Sequence, residues 1–198
     1  MTDTVHLLAL LGEPGARAQL GASAPAVLPS PSSQTAVRLR WKRTFQHLGK
    51  PVSVGALVAL GHRLLPAYER DPYVPPLNVA QYITSPAEGA QQLRAALEVI
   101  GAWAGRPNRT NGKRLRELVV DWRWLRFHHG HDAQCAVSCV EHTQLAAMAA
   151  RKFEQEAIQA LLRSSELVEP HSPTREDTDR ILREALQASL HGNRAHTR

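Results

Sequence analysis

Cysteine, long apolar runs and recognisable catalytic signatures are all scarce or missing in this sequence. Only two cysteines occur in 198 residues, which excludes a disulfide-built scaffold. No stretch approaches about 18 consecutive apolar residues, so no membrane-spanning helix is expected. There is no glycine-rich phosphate loop. Glu141-His142 lacks the second His that a helical zinc-hydrolase motif requires. Ser138 and the nearby His residues have no identifiable oxyanion donors. No internal repeat and no alternating strand pattern is present. The expectation is a non-enzyme with no cofactor.

One further absence is informative. Between Glu13 and Glu69 there is no acidic residue, while Arg17, Arg38, Arg40, Lys42, Arg43, Lys50 and Arg63 give +7. A second block, 106–131, carries seven basic residues against Glu117 and Asp121. The whole chain has a formal charge of only +6, because acidic or neutral stretches lie between and after the blocks. Charge segregated in this way favours a surface that faces a polyanion. Arg heavily outnumbers Lys, which suits forked contacts to phosphate. A solvated basic surface without a ligand is the competing reading.

The chain divides into an N-terminal arm, 1–33, a helical core domain, 34–168, and a C-terminal helix with a basic tail, 169–198. The arm holds the apolar run Val5–Leu11 and an Ala/Gly/Pro/Ser-rich stretch. Ala22-Ser23-Ala24 mimics a signal cleavage site, but Asp3, the lack of any Lys or Arg ahead of the apolar run and the run's length of only about seven residues argue against a signal peptide. A flexible arm of a cytoplasmic protein is the reading adopted.

The fold expected is all-α: a bundle of about six helices with a long spine helix and a possible small wing hairpin. Apolar spacing predicts a helix over 34–48, with Val37, Trp41, Thr44, Phe45 and Leu48 inward and Gly49 past its end. A second helix is expected over 54–65, with Ser53 as N-cap and a stop before Pro66. Residues 66–77 hold four prolines and read as a connection. After a possible short helix, 78–83, Ser85-Pro86-Ala87-Glu88 is a capping box with Pro at the first helical position. It opens a helix to about Ala104, burying Leu93, Leu97 and Ile100.

Arg106 to Gly112 reads as a basic turn, and Asn108-Arg109-Thr110 matches a glycosylation acceptor usable only in a secreted protein. A helix over 113–128 follows, with Leu115, Leu118, Val119, Trp122 and Leu125 on one side. An Ala-rich helix is expected over 132–163, with Asp132 as N-cap and a length of about 45 Å. A last helix is expected over 175–190.

Three constellations invite a functional reading. His131, Cys135, Cys139 and His142 fall on one helical stripe, but the row is about 16 Å long and one tetrahedral ion cannot reach all four. Their place on an apolar stripe points to core packing rather than metal. Residues 79–83, the turn at Thr84-Ser85 and helix 86–104 have the order of a helix-turn-helix, with 101–113 as a wing. Gly89 stands where such helices place an apolar residue, so an ordinary bundle hairpin is the favoured reading.

The third constellation is basic and aromatic. Arg38, Arg40, Lys42, Arg43, Arg109, Lys113, Arg114, Arg116, Arg123, Trp124 and Arg126 are the residues expected to contact nucleic acid. Arg neutralises phosphate, and an exposed aromatic ring stacks on bases. Trp41 and Trp122 lie on apolar stripes, whereas Trp124 falls off its stripe. The function expected is nucleic-acid binding, as a DNA-binding regulator or accessory factor or a small subunit of a ribonucleoprotein, with a protein partner or homo-oligomer. The alternatives are a protein–protein adaptor and, behind it, a metal sensor or enzyme at the His131/Cys135 cluster.

Overall fold

A computed structural model describes residues 34–71 and 85–164, apart from His128, together with the single position 18. The arm, the short helix over 78–83 and the helix over 175–190 lie outside the described residues. Seven helices occupy the described part, and no strand occurs there. They are α1 (Gln34–Leu48), α2 (Lys50–Glu69), α3 (Pro86–Gly105), α4 (Arg109–Glu117), α5 (Trp122–Arg126), α6 (His131–Met148) and α7 (Phe153–Ser164). The all-α architecture expected from the spacing is what forms.

α1 spans the residues its periodicity predicts and stops at Gly49, whose φ of +74° only glycine adopts at little cost. Trp41, Thr44 and Phe45 are buried, with the Trp41 and Phe45 rings stacked at 6.1 Å.

α2 is longer than expected at both ends. It starts at Lys50 because Pro51 fits the first turn, where its missing N–H removes only a donor without a helical partner. Ser53 is therefore not a cap; it is buried inside the helix, donating its hydroxyl to the Gly49 carbonyl at 2.8 Å. At the other end α2 runs through Pro66. An interior proline costs about 3 kcal/mol. Burying Leu64, Leu65 and Tyr68 around it returns about 1.5–3 kcal/mol for each, so the last turn survives.

α2 is the centre of the bundle. It runs antiparallel to α3 and to α6: Lys50 meets Trp103 and Ala149 at one end, and Tyr68 meets Gly89 and His129 at the other. Leu57, Leu60 and Leu64 of α2, Leu93, Leu97 and Ile100 of α3, and Val137, Cys139 and Val140 of α6 form the core. Gly61 permits close approach there, since a Cβ would fall 2.7 Å from Leu97 Cδ2.

A buried polar clasp ties the Tyr68 end together. The Tyr68 hydroxyl donates to the Leu125 carbonyl at 3.0 Å and lies 3.1 Å from His129 Nε2. His129 Nδ1 is 2.7 Å from Asp71 Oδ2, which also accepts from the Gly130 N–H at 3.0 Å. Burial, and then the nearby Asp71 charge, raise the Tyr68 pKa.

Further expectations are corrected. The helix over 113–128 is two helices, α4 and α5, parted at residues 118–121. Asp121 accepts the Trp124 N–H and starts a new helix, and Leu118 gives its carbonyl to Gln144 Nε2 instead of to a continuing turn. Val119, expected on the inward stripe, is 91% exposed in this break. The wing is absent among the described residues: Arg109–Lys113 belongs to α4, capped by Asn108 Oδ1 accepting the Asn111 N–H at 2.8 Å.

The long spine is a helical hairpin. α6 ends at Met148, and Lys152, at φ +56°, turns the chain back into α7. Alanine-rich sequence favours helix, and a left-handed residue costs about 1–2 kcal/mol. One continuous rod would leave the apolar side of α7 in water. Folding back buries Ala157, Ala160 and Leu161, whose combined gain outweighs that cost. Gly130, not Asp132, occupies the N-cap of α6.

Candidate nucleic-acid interface

α4 has the highest density of cations among the described helices. Its nine residues carry Arg109, Lys113, Arg114 and Arg116, all exposed. Only Leu115 is buried, so the helix touches the body along a narrow line. Arg109, Lys113 and Arg116 recur at i, i+4 and i+7 on the side away from Leu115. Lys113 lies 3.6 Å from Glu117; Arg109, Arg114 and Arg116 have no ion-pair partner among the described residues.

α4 is held by amides rather than by a large apolar contact. Asn108 caps it, and Asn111 donates from Nδ2 to the Ala102 and Arg106 carbonyls at 3.0 and 2.9 Å. These two asparagines, read in the sequence only as part of a turn, are positioning residues for the basic helix. Their signal was the Asn-x-x-Asn spacing at a helix start.

From α4 the chain returns along α6 as a strap. Trp122 Nε1 donates to Gln144 Oε1 at 3.1 Å, and Leu125 is buried. Arg123 and Trp124 project outward. Trp124 is 43% exposed and meets the half-exposed Phe127 edge-on, with ring centroids 5.4 Å apart and an interplanar angle of 74°. Arg126 differs from its neighbours: it is half-buried and bonded to Glu141 and to Ser138 Oγ. Its charge is therefore largely committed within the protein.

The first basic block lies elsewhere. Arg38, Lys42 and Arg43 are exposed on α1, which packs on α2 and α7, whereas α4 packs on α3. Arg40 lies within α1, but its side chain is outside the described residues. Among the described residues, α1 and α4 share no extensive packing. At the end of the bundle between them, Trp103 lies beside Gly112 of α4, with Lys50 Nζ 5.0 Å over its ring. Lys50 also donates to the Ala149 carbonyl at 2.9 Å, closing the C-terminus of α6. Burial lowers the Lys50 pKa. Lys50 appeared in the sequence only as one charge among seven.

The helix-turn-helix expectation keeps only its second helix in view, since 79–83 falls outside the described residues. Gln91 and Gln92 of α3 are exposed, but Arg94 is paired with Glu69. Gly89 is explained by packing: a Cβ there would collide with the Tyr68 hydroxyl and ring.

Of the His/Cys row only the cysteines are core; His131 is exposed and His142 is half-buried. Cys135 and Cys139 are buried and not disulfide-bonded, and Cys135 Sγ lies 3.6 Å from His131 Nε2. Burial pushes the Cys139 thiol up to about 12, against the smaller lowering effect of its bond with Thr143. His142 Nδ1 faces Glu156 Oε2 at 2.8 Å, one member of α6 tied to one of α7. Among the described residues no group of three or more His, Cys, Asp or Glu converges on a metal site, and no helix is long and apolar enough to cross a membrane.

No protein-family model, curated protein or solved structure matches this chain.

Proposed function

We propose that this chain is a nucleic-acid-binding helical protein that grips the phosphate backbone, acting as a DNA-binding regulator or accessory factor or as a small subunit of a ribonucleoprotein. α4 carries the reading. It is a short helix spending one side chain on the core and presenting four cations to solvent, three of them without a described partner. A helix kept for stability alone would bury more of its surface. Arg123 and Trp124 extend that surface along the strap, and Arg38, Lys42 and Arg43 form a second, weaker contact region on α1. Buried cysteines that are not disulfide-bonded suit a cytoplasmic setting. The reading involves no enzymatic step.

The test is binding of labelled DNA and RNA at graded salt. Arg114→Glu with Arg116→Glu is expected to abolish most binding. Arg38→Glu with Lys42→Glu is expected to weaken it less. Wild-type binding that is absent, or unaffected by both pairs, overturns the proposal.

A second reading has its own observation. Val119, Leu145 and Met148 are exposed apolar side chains, the first two next in the chain to the partners of the Gln144–Leu118 bond, and exposed apolar side chains suit a protein partner or second copy. Light scattering at low and high salt distinguishes the two: a salt-insensitive oligomer free of nucleic acid supports the adaptor.

A further inference from the structure

We propose that the α4–strap surface selects single-stranded over double-stranded nucleic acid, with Trp124 stacking on an unpaired base while Arg123 and α4 hold the neighbouring phosphates. This narrows the polyanion reading and rests on it.

Trp124 is the tryptophan left over once the others are placed. Trp41 is buried in the core. Trp103 lies beneath Lys50, and Trp122 spends its N–H on Gln144. Trp124 is 43% exposed, and its indole N–H has no hydrogen bond among the described residues. Phe127 meets it edge-on, an arrangement that covers at most one face of the indole and holds the ring at a set tilt. A free aromatic face binds a base face, and base faces are accessible only where bases are unstacked.

The charges around that ring fit the same ligand. Arg123 is next to Trp124 in the chain, is exposed and has no ion pair among the described residues. Both carboxylates of the segment have partners: Glu117 faces Lys113, and Asp121 accepts the backbone N–H of Trp124. A single strand is thus offered cations on the side toward α4 and a stacking ring beyond them.

Groove readout of a duplex is poorly served by the same surface. The residues that best read base edges are Asn, Gln and Arg. Here Asn108 and Asn111 are consumed in capping and anchoring α4, and Gln144 is turned inward to Leu118 and Trp122. The outward side of α4 is left with Arg and Lys, which contact phosphate on either form and offer a guanine edge only a fork, with no Asn or Gln for adenine.

The experiment compares the full chain's affinity, by fluorescence anisotropy at several salt concentrations, for a mixed-sequence strand and for that strand annealed to its complement. The wild type is expected to prefer the single strand. Trp124→Ala is expected to weaken single-strand binding by about tenfold and duplex binding far less, with Trp124→Phe restoring most of the loss. Equal wild-type affinity for both forms overturns the inference and leaves the polyanion reading standing, as does a Trp124→Ala effect that is nil or equal on both. Absence of salt-dependent wild-type binding to both forms overturns both readings. Should Trp124→Ala fail to fold, the wild-type preference and the Trp124→Phe variant decide.

Discussion

The phenol of Tyr68 occupies the space in which a side chain at position 89 would begin. α2 and α3 approach closely at this end because residue 89 is glycine, and Tyr68 then reaches past α3 to Leu125 and His129. Replacing Gly89 with Ala raises helix propensity by up to about 1 kcal/mol. The overlap with Tyr68 works against it, at about 1–3 kcal/mol for overpacking. The net expected outcome is a lower melting temperature for Gly89→Ala. An unchanged or raised value contradicts this packing.

Alkaline pH should loosen the fold before it affects most of the surface. Cys139 has a folded-state pKa raised from 9.0 to about 12, chiefly by burial. Its stabilising contribution is complete below about 9 and is lost as pH rises toward about 12, because the unfolded chain releases the proton first. Tyr68, also raised, acts in the same direction above about 10. Lys50, lowered, acts in the opposite direction as pH approaches 10.5, but it is only partly buried and offsets little. Urea midpoints measured across this range should fall from pH 9 upward, and Cys139→Ala should delay the onset. Wild-type midpoints that stay flat to pH 11 would refute this assignment.

Lys50 joins three elements, with its ammonium over Trp103 and its hydrogen bond to Ala149 at the end of α6. Lys50→Met keeps the aliphatic stem and removes both interactions. The expected loss is about 1 kcal/mol, since relief of the partial burial of the charge offsets some of the lost bond. Chemical denaturation checks it, and native-state exchange should show the α6–α7 turn opening more readily.

Arg123 and Arg126 separate bound from free charge. Arg126 is committed to Glu141 and Ser138, whereas Arg123 has no ion pair among the described residues. In titrations against a single strand, Arg123→Ala should reduce the salt slope by about 0.7, and Arg126→Ala should change it by far less. Equal effects would mean that Glu141 releases Arg126 on binding.

Local signals in the sequence were strong where one segment decided its own structure. The Ser85–Glu88 capping box, the extent of α1 with Trp41, Thr44 and Phe45 inward, and the glycine past its end at Gly49 are short-range, and each forms as read. What the sequence did not reveal depended on distant partners. α2 extends past Pro66 because Tyr68 is anchored 57 residues away at Leu125. The Ala-rich helix breaks because its second half gains more by folding back on its first than by continuing. Val119 sits on a stripe whose helix Asp121 interrupts. In the candidate site, exposure of the basic residues followed from composition. The commitment of Arg126 to Glu141, the separation of α1 from α4 and the bridging place of Lys50 were set by tertiary packing and had no local signature.

The central claim, phosphate contact through α4 and the strap, is tested most directly by the salt dependence of wild-type binding to a single-stranded oligonucleotide. Arg109, Lys113, Arg114, Arg116 and Arg123 together predict a slope of log K against log salt of about −3 to −3.5. The Arg114→Glu, Arg116→Glu variant should flatten that slope and lose most of the affinity. A wild-type slope near zero, or one that the variant leaves unchanged, would contradict the account.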